Sequence, residues 1–295
     1  MWEPPDIDIG RHCSDPYDCD FHGHCWQHIP ESSVFNLKGR GVDKFALYRQ
    51  GIVNLSDVPK QMLPEHQLIQ VEGILEKKNI MNKEKMKEFL DSLWYPICFF
   101  DFETIYNVPV PMFEGTRPYQ PVPFQYSLHY LENKDAALKQ YEYLAPAGSD
   151  PRRELVEKLI TEIPANACVL AYNMQYEAGI LNYLKEWFPE YGTQIENIIS
   201  NLIDLMIPFR NRDFYHWKME GSYSLKYVLP ALVPELTYEN MVIRDGEMAA
   251  DAWLKMQKLD EHEEIERIRS ALLAYCKMDT LAMVKILERL RSYCH

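Results

Sequence analysis

The chain has 295 residues, 47% of them hydrophobic and 25% charged. That is too apolar for a disordered chain and long enough for one sizeable core with a smaller satellite. Its 31 basic residues against 44 acidic ones leave a net charge of −13, which excludes broad adsorption to a polyanion but leaves room for a local nucleic-acid site.

The leading segment "MWEPPDIDIGRHC" lacks a basic region followed by an apolar stretch, and no run approaches the ~18 apolar residues of a bilayer span. A cytoplasmic protein without membrane contact is expected. Seven cysteines in so long a chain do not make a disulfide framework, so they read as reduced thiols or metal ligands.

Residues 1–30 are rich in Cys, His, Pro and Asp and show little periodicity. Cys13, Cys19 and Cys25 recur at equal spacing with His12, His22, His24 and His28 near them, and Pro16 and Gly23 punctuate the segment. Deprotonatable soft ligands on a chain that folds back on itself are what a metal knuckle needs. A fourth cysteine from elsewhere would complete an iron–sulfur cluster, and a nearby histidine would give Cys₃His zinc. Cys98, Cys168, Cys276 and Cys294 lie in apolar runs or at the terminus and read as packing residues.

Residues 31–95 read as helical. "LYRQGIVNLSDVP" offers a helix, a Gly51 stop and a Ser56/Asp57 turn, and "NKEKMKEFLDSLW" starts at an Asn82 cap and closes before Pro96. From Ile97 the pattern changes. "ICFFDFETI", "PFQYSLHYLE" and "KQYEYLA" are aromatic and β-branched strands, and "ACVLAYN" is another after the helix "PRRELVEKLITEI". Strands followed by helices predict an α/β domain with a mixed sheet over 96–295. Two last helices are expected, over "EHEEIERIRSALLAYC" and "DTLAMVKILERLRSYC".

Within the first strand, Asp101 and Glu103 alternate with Phe100 and Phe102. The two acids therefore share one face, about 7 Å apart at the backbone, while the rings share the other. Buried carboxylates need a cation, a donor network or a proton. In "VLAYNMQYEAGILNYL", Asn173 stands at a strand-to-helix turn with Glu177 four residues on. In "ALLAYCKMDTLAMV", Tyr275 and Asp279 stand at i and i+4 on one helix face. Read alone, Tyr275 would pack in the core and Asp279 would cap a helix ahead of Thr280.

The order D-x-E, N-x3-E, Y-x3-D resembles the DEDD exonucleases of the ribonuclease H-like superfamily, the tyrosine subgroup in particular, over residues 96–292. The resemblance implies a mixed five-stranded sheet flanked by helices and a pair of Mg²⁺ or Mn²⁺ ions. It also implies 3′–5′ hydrolysis of phosphodiester bonds. Asp101 would bridge the ions, Glu103 and Asp279 would complete the shell of the first, Glu177 would hold the second through water, and Tyr275 would orient the attacking water. The family has Asp where this chain has Glu177, so either Glu177 or Asp204 in "NLIDLMIPF" would serve the second ion.

The stretches "FFDFETI", "FEGTRPYQPVPFQYSLH", "GSYSLKYVLPAL" and "HCSDPYDCDFHGHCW" are also similar to an uncharacterised bacterial family, domain of unknown function 2779. That likeness implies that the cysteine segment is the remnant of an upstream RecB-like nuclease domain, otherwise absent from this chain.

For substrate contact, "PFRNRDFYHWK" interleaves Arg210, Arg212 and Lys218 with aromatic rings including Trp217, a mixture that lets cations meet phosphates while rings stack on bases. Arg117 and Tyr119, on the loop after the first strand, and Asn173 are further candidates. The expected function is a metal-dependent exonuclease acting on single-stranded 3′ ends of DNA or RNA. A nucleic-acid binding module with a degenerate site is the alternative. A glycosidase would also explain D-x-E, but it gives no reason for Tyr275 and Asp279.

Overall fold

A computed structural model describes residues 7–106 and 108–294, so the first six residues of the leader lie outside the described residues. The chain forms two units, one of Met1–Asn82 with Phe209–Ala231 and the other of Lys83–Pro208 with Leu232–His295. The expected pieces 1–30, 31–95 and 96–295 are thus drawn differently, because residues 209–231 join the N-terminal segments. Two-residue strands hold them there: Ile80 pairs with Tyr215 and Met81 with Phe214, antiparallel. Asn82 N–H donates to the Asp213 carbonyl over 2.8 Å, and Gln70 Nε2 donates to the carbonyls of Asn36 and Glu220.

The first unit has its own core of Val34, Leu37, Leu47, Leu55, Val58, Leu63 and Val71. Its helix Lys44–Arg49 starts at Asp43, whose carboxylate accepts from the N–H groups of Phe45 and Ala46. The expected stop at Gly51 is present, with φ +78°, a conformation glycine adopts without a Cβ clash.

The second unit is a mixed α/β domain. Its strands are β1 (Ile97–Ile105), β2 (Val122–Leu131), β3 (Lys139–Leu144), β4 (Cys168–Ala171) and β5 (Leu202–Asp204), in spatial order β3-β2-β1-β4-β5. β3, β2 and β1 pair antiparallel, and β1, β4 and β5 pair parallel. The helices are α1 (Lys83–Asp91), α2 (Arg152–Glu162), α3 (Met174–Trp187), α4 (Gly192–Ser200), α5 (Gly246–Met256) and α6 (His262–Cys294). β5 has three residues, too few for alternation to mark it.

Phe100 and Phe102 project into the main core, with ring centroids 4.5 Å apart in an edge-to-face pair. Asp101 between them and Glu103 beyond them lie on the opposite face, toward α6. Two final helices were expected, but α6 runs unbroken for 33 residues. No Gly or Pro falls inside it, and its buried stripe continues from Ile268 through Leu272, Cys276, Met283 and Ile286 to Leu290.

Buried polar groups fix α6 on the sheet. Gln125 Nε2 donates to the Leu272 carbonyl over 2.9 Å. Ser127 Oγ and His129 Nδ1 each lie 2.8 Å from Thr280 Oγ1. Burial, with Lys277 assisting, lowers the His129 pKa to about 4, so the ring is neutral at pH 7. No helix among the described residues is long and apolar enough to cross a membrane.

Candidate active site

β1 delivers Asp101 and Glu103 to the face that α6 covers, opposite Ser127 and Gln125 in the β2 register. α6 brings Tyr275 and Asp279 there, one helical turn apart. α3 supplies Glu177. Its N-cap, Asn173, takes the left-handed conformation with φ 73°, so the chain reverses directly after β4 and the first helical turn points back at β1. Glu103, Glu177 and Asp279 are buried, and Asp101 is partly open to solvent.

These carboxylates act on one another. Burial first, then the charges of Glu177, Asp279 and Glu103, hold the Asp101 pKa well above the ordinary range. Burial followed by Asp279, Glu177 and Asp245 does the same to Glu103. Burial lifts Glu177 to about 8, Asp279 adds to the rise, and a hydrogen bond from the Phe102 N–H opposes it. Among the described residues no Lys or Arg pairs with Asp101, Glu103 or Glu177. Glu177 Oε2 is buried and has no hydrogen-bond partner among them.

Several groups missed at the sequence level complete the site. The Tyr238 hydroxyl donates to Asp279 Oδ1 over 2.6 Å, and its ring lies 6.1 Å from that of Tyr275. Tyr275 is buried, makes no hydrogen bond among the described residues, and has its pKa raised by burial and then by Asp279, Glu103 and Asp101. Its hydroxyl is therefore protonated.

The first turn of α5 faces Glu103: a Cβ on Gly246 would stand 3.6 Å from Glu103 Oε2. The positive end of the helix thus favours that carboxylate. Tyr176 shares a hydrogen bond with Thr104 Oγ1, and burial of its hydroxyl, followed by the charges of Glu177, Glu103 and Asp101, raises its pKa. Tyr238 lies in an irregular segment, where no periodicity points to it.

Two further residues bear on the site. Asp204 Oδ1 accepts from the N–H groups of Asn173 and Met206, so this carboxylate ties the β4–α3 turn to the end of β5, and Glu177 is the fourth acid of the cluster. Cys276 is buried as expected, yet its surroundings are acidic. One carboxylate oxygen each from Asp101 and Glu103 and the Cys276 Sγ all lie within 4.8 Å of one another.

Mg²⁺ and Mn²⁺ are hard ions that take carboxylate oxygens. A cluster of four carboxylates, three of them without a cationic partner among the described residues and one with an orphaned buried oxygen, fits that demand.

The N-terminal thiols are not gathered in this way. Cys13 is buried with its Sγ turned to accept the Gly10 N–H at 3.5 Å, and Cys19 and Cys25 are half-buried. Among the described residues the three do not form a three-ligand group.

Arg117 is exposed and pairs with Glu186 over 3.6 Å. Tyr119 is 64% exposed, and the Asn173 side chain is exposed as well. Arg210, Arg212, Trp217 and Lys218 belong to the other unit. Arg212 is a correction: it is buried, and its guanidinium donates to the carbonyls of Phe209 and Gly221, so it braces that unit's core. Arg210 is exposed. Trp217 and Lys218 line a cavity of about 980 Å³ with Lys77, Lys226, Tyr227 and Glu220.

Fold and cluster together define a mixed α/β domain with an acidic centre on its first strand. Residues 98–224 match a family model described as Domain of unknown function (DUF2779), a span that includes Asp101, Glu103 and Glu177 and ends before Tyr275 and Asp279. No curated protein and no solved structure matches the chain.

Proposed function

We propose that the chain is a metal-dependent nuclease of the DEDD type on a ribonuclease H-like fold, hydrolysing phosphodiester bonds of DNA or RNA from the 3′ end. The observation that carries this reading is the convergence of Asp101, Glu103, Glu177 and Asp279 with the protonated Tyr275 hydroxyl, with no Lys or Arg among the described residues paired to Asp101, Glu103 or Glu177. The five-stranded mixed sheet supports the fold assignment. The 3′ polarity rests on the resemblance of the three motifs alone.

Asp101, Glu103, Glu177 and Asp279 would hold the ions. A divalent pair supplies charge stabilisation to both the attacking and the leaving oxygen of an in-line displacement. The remaining work falls to protein groups. Asp101, the acid partly open to solvent, is the one placed to meet substrate. Tyr238 holds Asp279 in one orientation through its hydrogen bond. Tyr275, kept neutral by burial and by the acids around it, has a hydroxyl proton to direct a water molecule but stays protonated and so does not serve as a base. Within the first unit, Trp217 offers a ring and Lys77, Lys218 and Lys226 offer cations, a combination that suits an unpaired nucleic-acid strand.

End-labelled DNA and RNA oligomers incubated with Mg²⁺, Mn²⁺ or EDTA test the reading. Shortening from the 3′ end in the presence of ions, absent in EDTA and in Asp101→Asn, is expected. Binding without cleavage in either ion would leave the non-catalytic module.

A further inference from the structure

We propose that Asp101, Glu103 and Cys276 form a mixed oxygen and sulfur site that binds a thiophilic divalent ion, of the zinc and cadmium class, more tightly than the hard ions suited to the carboxylates alone. The proposal rests on the nuclease reading only in placing a metal site at this cluster.

Cys276 is fully buried on α6, between Tyr275 and Asp279 in the chain. A cysteine in a core ordinarily packs against apolar groups. This one stands among acids: its Sγ and one oxygen each of Asp101 and Glu103 lie within 4.8 Å of one another. Glu103, Asp101, Asp279 and Glu177 all add to the elevation of its pKa that burial begins. Its neighbour on the protein side is the Asp101 carbonyl oxygen, 3.8 Å from Sγ, a weak partner that leaves the sulfur lone pairs free. The Oε2 of Glu177, 2% exposed as a residue, has no hydrogen-bond partner among the described residues and is a further oxygen available to a cation in the same cluster.

Sulfur changes which cation suits the set. Carboxylates alone favour Mg²⁺ and Mn²⁺, whereas a thiolate adds preference for softer ions such as Zn²⁺ and Cd²⁺. On binding, the S–H bond breaks, its proton passes to solvent, and the electron pair left on sulfur forms the bond to the ion. The ion's positive charge offsets the acidic field that keeps the thiol protonated in its absence. Because Asp101 and Glu103 are shared, a thiophilic ion and a hard ion compete.

Cd²⁺ is the probe. Its stoichiometry by equilibrium dialysis and its thiolate-to-cadmium ultraviolet absorption would be measured on the full chain, on Cys276→Ser and on Asp101→Asn. Thermal stabilisation by Mn²⁺ would be followed in parallel. Cys13, Cys19 and Cys25 also contribute thiols, so the differences between proteins are what count. Cys276→Ser is expected to bind a single Cd²⁺ fewer and lose the matching absorption while keeping its response to Mn²⁺. Asp101→Asn should lose the same Cd²⁺ with its thiol intact. Unchanged Cd²⁺ stoichiometry and absorption in Cys276→Ser would overturn the proposal, and if that variant fails to fold, the same result in Asp101→Asn would do so. A protein with the Cys276-dependent site that cleaves no nucleic acid in Mn²⁺ would lose the nuclease reading and keep this one.

Discussion

The Tyr238 hydroxyl donates to Oδ1 of Asp279 over 2.6 Å, fixing an acid that stands one helical turn beyond Tyr275. A hydrogen bond to an ionised group contributes about 1.5–3 kcal/mol. Tyr238→Phe removes this restraint on Asp279, so Mn²⁺ affinity should fall by about tenfold or more, with turnover falling alongside it. Calorimetric titration with Mn²⁺ decides the matter, and an unchanged affinity would reduce Tyr238 to a packing residue.

Tyr275→Phe removes a single hydroxyl that makes no hydrogen bond among the described residues. Folding and Mn²⁺ affinity should therefore stay close to unchanged, while single-turnover cleavage slows by about 10²-fold, the lower range for a positioned proton donor or acceptor. Equal cleavage rates in the two proteins would return the side chain to the core.

The acid cluster also sets a pH dependence. Burial lifts Glu177 from 4.5 to about 8 in the folded chain, so between those values the native state holds a proton that the unfolded state has released. Its stabilising contribution is complete below the unfolded value and is lost as pH rises through the folded one, each tenfold difference in proton affinity between the two states being worth about 1.4 kcal/mol. Asp101 and Glu103 are displaced in the same direction. In EDTA, Tm should fall between about pH 5 and pH 8.5, and saturating Mn²⁺ should flatten the fall. Glu177→Gln should remove part of the slope. A Tm that climbs across this range in EDTA would count against the cluster as described.

The legible parts of this protein are those where periodicity is strong. The alternation along β1 is enough to separate Asp101 and Glu103 from Phe100 and Phe102, and the i, i+4 spacing brings Tyr275 and Asp279 to one face. Other features depend on contacts far apart in sequence. Residues 209–231 join the N-terminal unit through strands of two residues, too short to alternate. Glu177 in α3 and Asp204 at the end of β5 are told apart by the turn hydrogen bonds at Asp204 and by the acidic surroundings of Glu177, neither of which the sequence shows. Cys276 lies on the apolar stripe of α6, so sequence alone reads it as packing. The equal spacing of Cys13, Cys19 and Cys25 suggests a knuckle, and the sequence does not show that the Cys13 sulfur accepts the Gly10 N–H.

The most direct test of the proposal that the cluster takes divalent ions is the melting of Asp101→Asn beside the unmodified protein, each in EDTA and in millimolar Mn²⁺. Without ions the substitution removes one of several like charges, so Tm in EDTA should rise. The Mn²⁺ stabilisation expected of the unmodified protein should vanish, since only ligand binding to the native state supplies it. Were Asp101 neutralised by a protein cation, the loss would leave that cation buried and unpaired, at a cost of about 3–5 kcal/mol. A variant that melts lower in EDTA and still gains stability from Mn²⁺ would contradict the account.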